Sequence, residues 1–477
     1  MRKISLILSL LILSSSLALA QGKWRKFHGP EVGPGPRSGH GMVVDEARQK
    51  IVFFGGEYFN EEIEWDKKYF NDTWEFDLKT LTWEKKEPST HPRERADFAI
   101  AYSPVSKKVV IQGGRQIYDG NLIPNGNYSP STWEWNGNEW KFITTSGPSR
   151  RELHNMVWNP STSEIVLFGG TVWRGLPGDR IYLNDIWVYS ENQWKELTSS
   201  DAPRGRSSAT MVFDSTNNEI VLYGGQYRSK LYLKDTFSWD GNKWLQISDE
   251  GPGYRSHHAA AFNPDNGKVI LFGGFFQNTR FFPNQLQKWF NDTWEFTDNA
   301  WSRINIKSEK PSPREDHKMV YDSINKRIWL FGGKFEQYSR KREYFGDLWY
   351  YTIHNEYDLK PLIQKVSPGN KLEHGKTARF TVRIHNLGLD ESKGHKVSLF
   401  LSKDDQLSND DKLLIAKQFK RHIKPNSKAD FKIAKKISKN IAPGKYYLII
   451  KALSDSGIDL NKENNIRVRK NPVTISH

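Results

Sequence analysis

Ile51-Val52-Phe53-Phe54-Gly55-Gly56 is the stretch on which the reading turns: a β-rich apolar run that stops at a glycine doublet. The pattern returns at Gly113-Gly114, Gly169-Gly170, Gly224-Gly225, Gly273-Gly274 and Gly332-Gly333, at intervals of 58, 56, 55, 49 and 59 residues. After each doublet an aromatic follows in a near-constant frame: Asp72-Thr73-Trp74, Ser131-Thr132-Trp133, Asp185-Ile186-Trp187, Asp235-Thr236-Phe237, Asp292-Thr293-Trp294 and Asp347-Leu348-Trp349. A second Trp comes nine or seven residues later, at Trp83, Trp140, Trp194, Trp244 and Trp301. Upstream, Arg37, Arg95, Arg151, Arg206, Arg255 and Arg314 each stand 18 residues before the first Gly of their doublet. His40, His154, His258 and His317 follow four of these arginines by three residues, with Phe98 and Ala209 in the other two repeats. An offset kept six times without an insertion implies a rigid segment. Two antiparallel strands joined by a tight turn fit it, with turn chemistry at Asp45-Glu46-Ala47, Asn159-Pro160, Asp214-Ser215, Asn263-Pro264 and Asp322-Ser323.

A period of this length is the mark of a repeat architecture, and the signature resembles the kelch repeat over about residues 23 to 355. The resemblance implies a six-bladed β-propeller with one four-stranded blade per repeat. The doublet ends the second strand, where positive φ and close backbone approach favour glycine. The tryptophans of the third and fourth strands fill the space between blades. The sixth repeat has Trp349 but no second Trp, whereas Trp24-Arg25-Lys26-Phe27 matches Trp140-Lys141-Phe142-Ile143. The N-terminal strand is therefore expected to close the last blade, giving a propeller over residues 21–358 with no open sheet edge.

The ends of the chain carry separate signals. Arg2 and Lys3, an apolar run from Ile4 to Leu13 and Ala18-Leu19-Ala20 read as a signal peptide over residues 1–20. No Cys stands at the cleavage site, so a lipoprotein anchor is not expected, and no later run approaches the length of a membrane span. The expectation is a protein that is secreted, periplasmic or held at the cell surface, with no transmembrane span once processed. The 477 residues include no Cys, which removes disulfides, thiolate metal sites and a Cys nucleophile. Aromatics make up 13%, with 18 Trp, as suits an all-β chain. Beyond residue 360 the tryptophans stop. Residues 361–477 hold 24 Lys and Arg against 11 Asp and Glu, a net of +13 out of +15 for the whole chain.

That segment alternates as a sandwich does, in Ala378-Arg379-Phe380-Thr381-Val382-Arg383-Ile384, Val397-Ser398-Leu399-Phe400-Leu401 and Tyr446-Tyr447-Leu448-Ile449-Ile450. Asn386-Leu387-Gly388, Leu401-Ser402-Lys403-Asp404, Pro443-Gly444-Lys445-Tyr446 and Glu463-Asn464-Asn465 resemble the adhesion-related immunoglobulin-like domain of bacterial surface proteins. Such domains act as spacers or adhesive modules. The fold class is thus all-β: a six-bladed kelch β-propeller followed by a small immunoglobulin-like β-sandwich. The positive charge implies an anionic envelope surface as its partner; export disfavours nucleic acid.

Candidate ligand-binding residues fall into two groups. Arg37, Arg95, Arg151, Arg206, Arg255 and Arg314 would make a ring able to hold an anionic ligand. A residue kept in every blade suits scaffold as well, because a binding site is asymmetric. The long loops offer Tyr58, Trp65, Phe276, Phe282, Tyr338 and Arg340, aromatics beside charges that fit sugar rings or a protein partner. Asp404, Asp405, Asp410 and Asp411 cluster as in an oxygen-rich calcium loop, or as an ordinary acidic turn. No cofactor is indicated. The missing Cys excludes kelch-type copper oxidase chemistry, and no sialidase Asp box is present. The expected function is binding or adhesion, with a glycan or protein recognised at the propeller's loop face. The alternative is a carbohydrate-active enzyme of the mutarotase, epimerase or lyase type, with its site in the propeller funnel and no catalytic residue assigned.

Overall fold

In a computed structural model of the chain, the described residues are 22–29, 32–60, 66–116, 128–173, 180–228, 231–278, 286–336, 342–455 and 457–477. They form two compact units, Gly22–Thr352 and Ile353–His477. The leader expected over 1–20 and the loop residues Trp65, Phe282, Tyr338 and Arg340 lie outside the described residues.

Among the described residues the first unit holds six four-stranded antiparallel sheets. The first blade shows the logic: Gly41–Asp45, Lys50–Phe54, Thr73–Asp77 and Thr82–Lys86 pair in that order. The apolar run before each doublet is the second strand. Ile51, Val52, Phe53 and Phe54 are all fully buried, because a strand covered by neighbouring blades on both faces reads as continuously apolar. The outer strand Thr82–Lys86 is largely exposed. Successive innermost strands touch one another all the way round, from Gly41–Asp45 to Lys318–Asp322 and back. The turns carry the expected chemistry: the side-chain oxygens of Asn159, Asp214, Asn263 and Asp322 each accept the backbone N–H two residues on.

The sixth blade takes its outer strand from the other end of the propeller. Lys23–Lys26 pairs antiparallel with Leu348–Thr352, Trp24 opposite Tyr351. Trp24 is buried among Phe272 and Tyr351, and its indole N–H donates to Thr293 Oγ1 at 2.9 Å. Trp140, Trp194 and Trp301 make the same bond to Thr73, Thr132 and Thr236 of the preceding blade. The Thr of the Asp-Thr-Trp motif thus serves the next blade's tryptophan. Where Ile186 replaces it, the buried Trp244 N–H has no acceptor.

The second unit is a sandwich. Leu359–Ser367, Thr377–Asn386 and Ser427–Lys436 form one sheet, and His395–Ser402, Lys412–Phe419, Gly444–Ser454 and Val473–Ser476 anchor the other. Phe380, Val382, Ile384, Leu399, Phe431 and Leu448 are among the residues of the single core between them. Tyr357 and Leu359, which stood at the seam in the sequence, belong to that core.

Candidate functional site

The six arginines are scaffold, and the anion-ring reading of Arg37, Arg95, Arg151, Arg206, Arg255 and Arg314 is corrected on this point. Each is 0–3% exposed. Each donates through Nη1 to the carbonyl of its own doublet's first glycine at 2.9 to 3.1 Å. Five form ion pairs of 2.6 to 2.8 Å with Asp72, Asp185, Asp235, Asp292 and Asp347. The same carboxylates accept the indole N–H of Trp74, Trp187, Trp294 and Trp349, which explains the Asp-x-Trp motif. The arginine carbonyls are also engaged: Gly56, Gly114, Gly170, Gly225, Gly274 and Gly333 each donate to the arginine of the next blade, and the sixth donates back to Arg37. The doublet needs glycine for this. A Cβ on Gly55, at φ +64, would stand 2.7 Å from the Arg95 carbonyl. Guanidiniums this deeply buried and spent on these partners have no face left for a ligand.

The histidines are scaffold too. His40, His154, His258 and His317 are buried against the doublet of the preceding blade, and burial holds all four rings below their ordinary pKa, His317 at about 3.

Two residues after each arginine the chain reaches the axis. Gly39, Asp97, Leu153, Ser208, His257 and Asp316 all have positive φ, between 53° and 62°. Each donates its N–H to the carbonyl of the equivalent residue in the preceding blade, at 2.8 to 3.3 Å, and Gly39 closes the circle on Asp316. Five of the six are not glycine; the closed hydrogen-bonded ring holds them in a conformation L residues rarely adopt. The ring borders a cavity of about 40 Å³, lined in part by Asp97, Asn155, Ser208, His257, Asp316 and Lys318.

Around this cavity charge gathers from five blades. Arg115 binds Asp97 at 2.7 Å and Glu57 at 2.9 Å, with Glu152 at 3.7 Å. Glu152 also receives Arg180 and the Tyr128 hydroxyl. Across the ring Lys334 binds Asp316 at 2.9 Å, and Trp289 donates to Glu315. His257 lies between Ser208 Oγ at 3.0 Å and Ser256 Oγ at 2.8 Å. Burial raises the Asp316 carboxyl, but Lys334 and His257 overcome this and hold it well below the usual range. Burial raises Glu315 despite Lys334, and lowers the Lys318 amine.

Asp97 is the outlier. Burial pushes its carboxyl up to about 7, Arg115 opposing and Glu57, Asp316 and Glu152 adding to the rise. One guanidinium shared among three carboxylates does not neutralise them all. A carboxyl that holds its proton better folded than unfolded stabilises the fold at low pH, and that contribution is lost as pH rises from the ordinary 3.8 through about 7. The stability difference between the native chain and Asp97→Asn is therefore expected to shrink and then reverse towards the variant across that window. Thermal unfolding at stepped pH checks it, and a difference flat with pH would rule the shift out.

The loop candidates that are described sit in aromatic contacts. Tyr58 packs on Tyr344 at 5.0 Å, and Phe276 on Tyr232 at 5.2 Å. Of Asp404, Asp405, Asp410 and Asp411, Asp404 and Asp411 accept backbone N–H groups of their own turns, as in an ordinary acidic turn. Among the described residues no group of three or more His, Asp or Glu is placed to hold an ion. The axial residues Glu57, Asp97, Arg115, Glu152, Glu315, Asp316 and Lys334 were not singled out from sequence. Their signal was variation: they stand one residue after the doublet or one to two after the arginine, and the position after the doublet carries a different residue in each blade, Glu57, Arg115, Thr171, Gln226, Phe275 and Lys334.

The profile of the KLHDC2/KLHL20/DRC7 Kelch-repeats domain matches residues 13–197 and 163–374, well over half of the chain. The chain belongs to this kelch family. Its kelch repeats are 27% identical over 207 residues to mouse Kelch domain-containing protein 1, and 28% identical to the human protein, covering 39% of this chain. The chain spans about half the length of these curated relatives, 48% in each case. The solved structure of YjhT superposes with a TM-score of 0.51 at 14% identity, over 66% of this chain and 94% of that one, and shares the fold. A solved CARDB domain from Pyrococcus furiosus aligns at 17% identity over 25% of this chain and 89% of that one, with a TM-score of 0.19. The kelch propeller is a binding scaffold.

Proposed function

We propose that the protein is exported and recognises a glycan end-on at the propeller axis, while the basic sandwich acts as an adhesion module on an anionic envelope surface. One observation carries the propeller half: Asp97 and Asp316 line the axial cavity, Arg115 ties Asp97 to Glu57 and Glu152, and Lys334 pairs with Asp316, although the repeat scaffold requires none of these charges. Interleaved acceptors and donors suit a ligand rich in hydroxyls, and Tyr58 and Phe276 lie on hairpins that follow the doublets. Export is supported by the leader-like residues 1–20, and docking by the net +13 of residues 361–477.

A second reading has its own support. A carboxyl pushed up to about 7 is poised to hold or release a proton at neutral pH, as a mutarotase, epimerase or lyase requires. A glycan array probed with the full chain and with Glu152→Gln tests both. Selective hits that weaken by roughly tenfold or more in the variant are expected, the scale of one lost charged hydrogen bond. Hits indifferent to Glu152→Gln would move the site off the axis, and an array without hits would leave a protein partner at the loop face. Accelerated anomeric exchange or turnover of a hit, followed by NMR, would establish the enzyme.

A further inference from the structure

In the three-stranded sheet of the sandwich, alternate residues face the core, and the remaining ones fall into rows set by the strand register. The rows read Lys360–His385–Lys428, Leu362–Arg383–Asp430, Lys365–Thr381–Lys432 and Ser367–Arg379–Ala434, with Thr377–Lys436 at the end. A register shift between Ile363 and Lys365 brings Lys365 into line with Thr381. The inward residues, Phe380, Val382, Ile384, Phe431 and Ile433, are all buried and apolar. So the alternation that builds the core also sorts seven Lys and Arg side chains onto one outer face. A single carboxylate accompanies them, Asp430, and Arg383 grips it with Nε at 2.7 Å and Nη2 at 2.9 Å. Rows two residues apart and strands about 4.8 Å apart make a strip of roughly 27 by 10 Å.

The excess charge registers within the strip itself. His385 lies between Lys360 and Lys428, next to Arg383 on its own strand. Desolvation, then Lys428, Arg383 and Lys360, hold its imidazole below the ordinary value, with Asp430 opposing. The strip's one large exposed hydrophobic is Leu362, too little apolar area to anchor in a bilayer. A recess of about 370 Å³ opens at the Arg379 end, lined in part by Lys376 and Arg379.

We propose that this face is a docking strip for a linear polyanionic polysaccharide, a chain of uronate or sulfated sugars whose regular charges lie along the rows of Lys and Arg. The proposal rests on the reading of the sandwich as an anionic-surface module and adds the face and the class of partner. A long strip of cations in register, interrupted only at the Arg383–Asp430 pair, matches a linear chain better than a compact anion, which needs enclosure, or a bilayer, which needs apolar anchors.

The test uses the full chain with polygalacturonate, and with vesicles of phosphatidylcholine and phosphatidylglycerol in equal parts. Binding to polygalacturonate at low salt is expected, weakening steadily as salt is raised. Lys428→Gln/Lys432→Gln/Lys436→Gln should weaken it about tenfold, from three exposed ion pairs of a few-fold each. The matched triple Lys396→Gln/Lys417→Gln/Lys445→Gln, on strands of the other sheet, should stay within about twofold. Unchanged thermal unfolding shows that both triples fold. A bound polyanion favours the charged imidazole, so affinity should rise as pH falls below the ordinary 6.5 of His385, and His385→Gln should abolish that rise. Equal losses in the two triples would overturn the face and leave anionic docking standing. Binding to vesicles but not to polygalacturonate would overturn the partner class. No binding to either would overturn both the strip and the docking reading beneath it.

Discussion

Trp24→Ala is expected to lower the stability of the propeller by about 3–5 kcal/mol, the cost of emptying a large buried aromatic site. Trp24 fills the space between the fifth and sixth blades, against Phe272 and Tyr351, and leaves Thr293 Oγ1 without its donor when it goes. Its position makes the effect more than local. The other five blades are covalent hairpin stacks, but the sixth is completed only by the pairing of Lys23–Lys26 with Leu348–Thr352. Removing residues 22–27 should therefore expose a sheet edge and abolish cooperative unfolding of the propeller altogether. The measurement is clean because all 18 Trp lie at or before Trp349: tryptophan fluorescence reports the propeller, and circular dichroism reports both units. Loss of the fluorescence transition with a surviving second transition is the expected result. A truncated chain with an unshifted fluorescence midpoint would show that the strand does not close the ring.

The second large effect is expected at the buried ion pairs. Asp292→Ala leaves Arg255, 0% exposed, without its counter-charge, and removes the acceptor of the Trp294 N–H. The cost should be about 3–5 kcal/mol, because an unpaired buried charge is worse than no charge. The double variant Arg255→Met/Asp292→Leu should recover part of it. It cannot recover all, since the Gly273 carbonyl loses its donor, worth about 1–3 kcal/mol. The second blade already contains the unpaired case. Ser131 stands where the other blades have Asp, and burial alone lowers the Arg95 guanidinium to about 9. Ser131→Asp is accordingly expected to stabilise the propeller, by about 1–3 kcal/mol. Burial raises the Asp185, Asp292 and Asp347 carboxyls, but Arg151, Arg255 and Arg314 outweigh it and hold them below the ordinary 3.8. The stability these pairs contribute is present above that value and is lost as pH falls below it through the lowered folded-state values. A denaturant series on the single, the double and Ser131→Asp settles the matter. An Asp292→Ala cost under about 1 kcal/mol would mean water reaches Arg255.

The sequence by itself determined the blades. Each is a run of local antiparallel hairpins, and its doublet, aspartate and two tryptophans recur in register, so six copies of one short pattern identify the architecture. It also pointed to Trp24 as a displaced fourth strand, because that strand kept the motif of its fellows. The sandwich was legible from alternation, and its charge from a count of residues. The roles of the arginines needed the fold. A cation repeated in every blade favours scaffold over ligand, but its partners lie some 30 residues downstream or in the next blade, where only the fold shows them. The axial cluster was invisible for a related reason. Glu57, Asp97, Glu152 and Lys334 come from different repeats, at positions that hold no common residue type, and only closure of the ring brings them into the ion pairs of Arg115 and Asp316 at the axis. The basic strip, likewise, depended on register: one residue of slip would have turned its lysines into the core, and only the paired strands show that they all face outward.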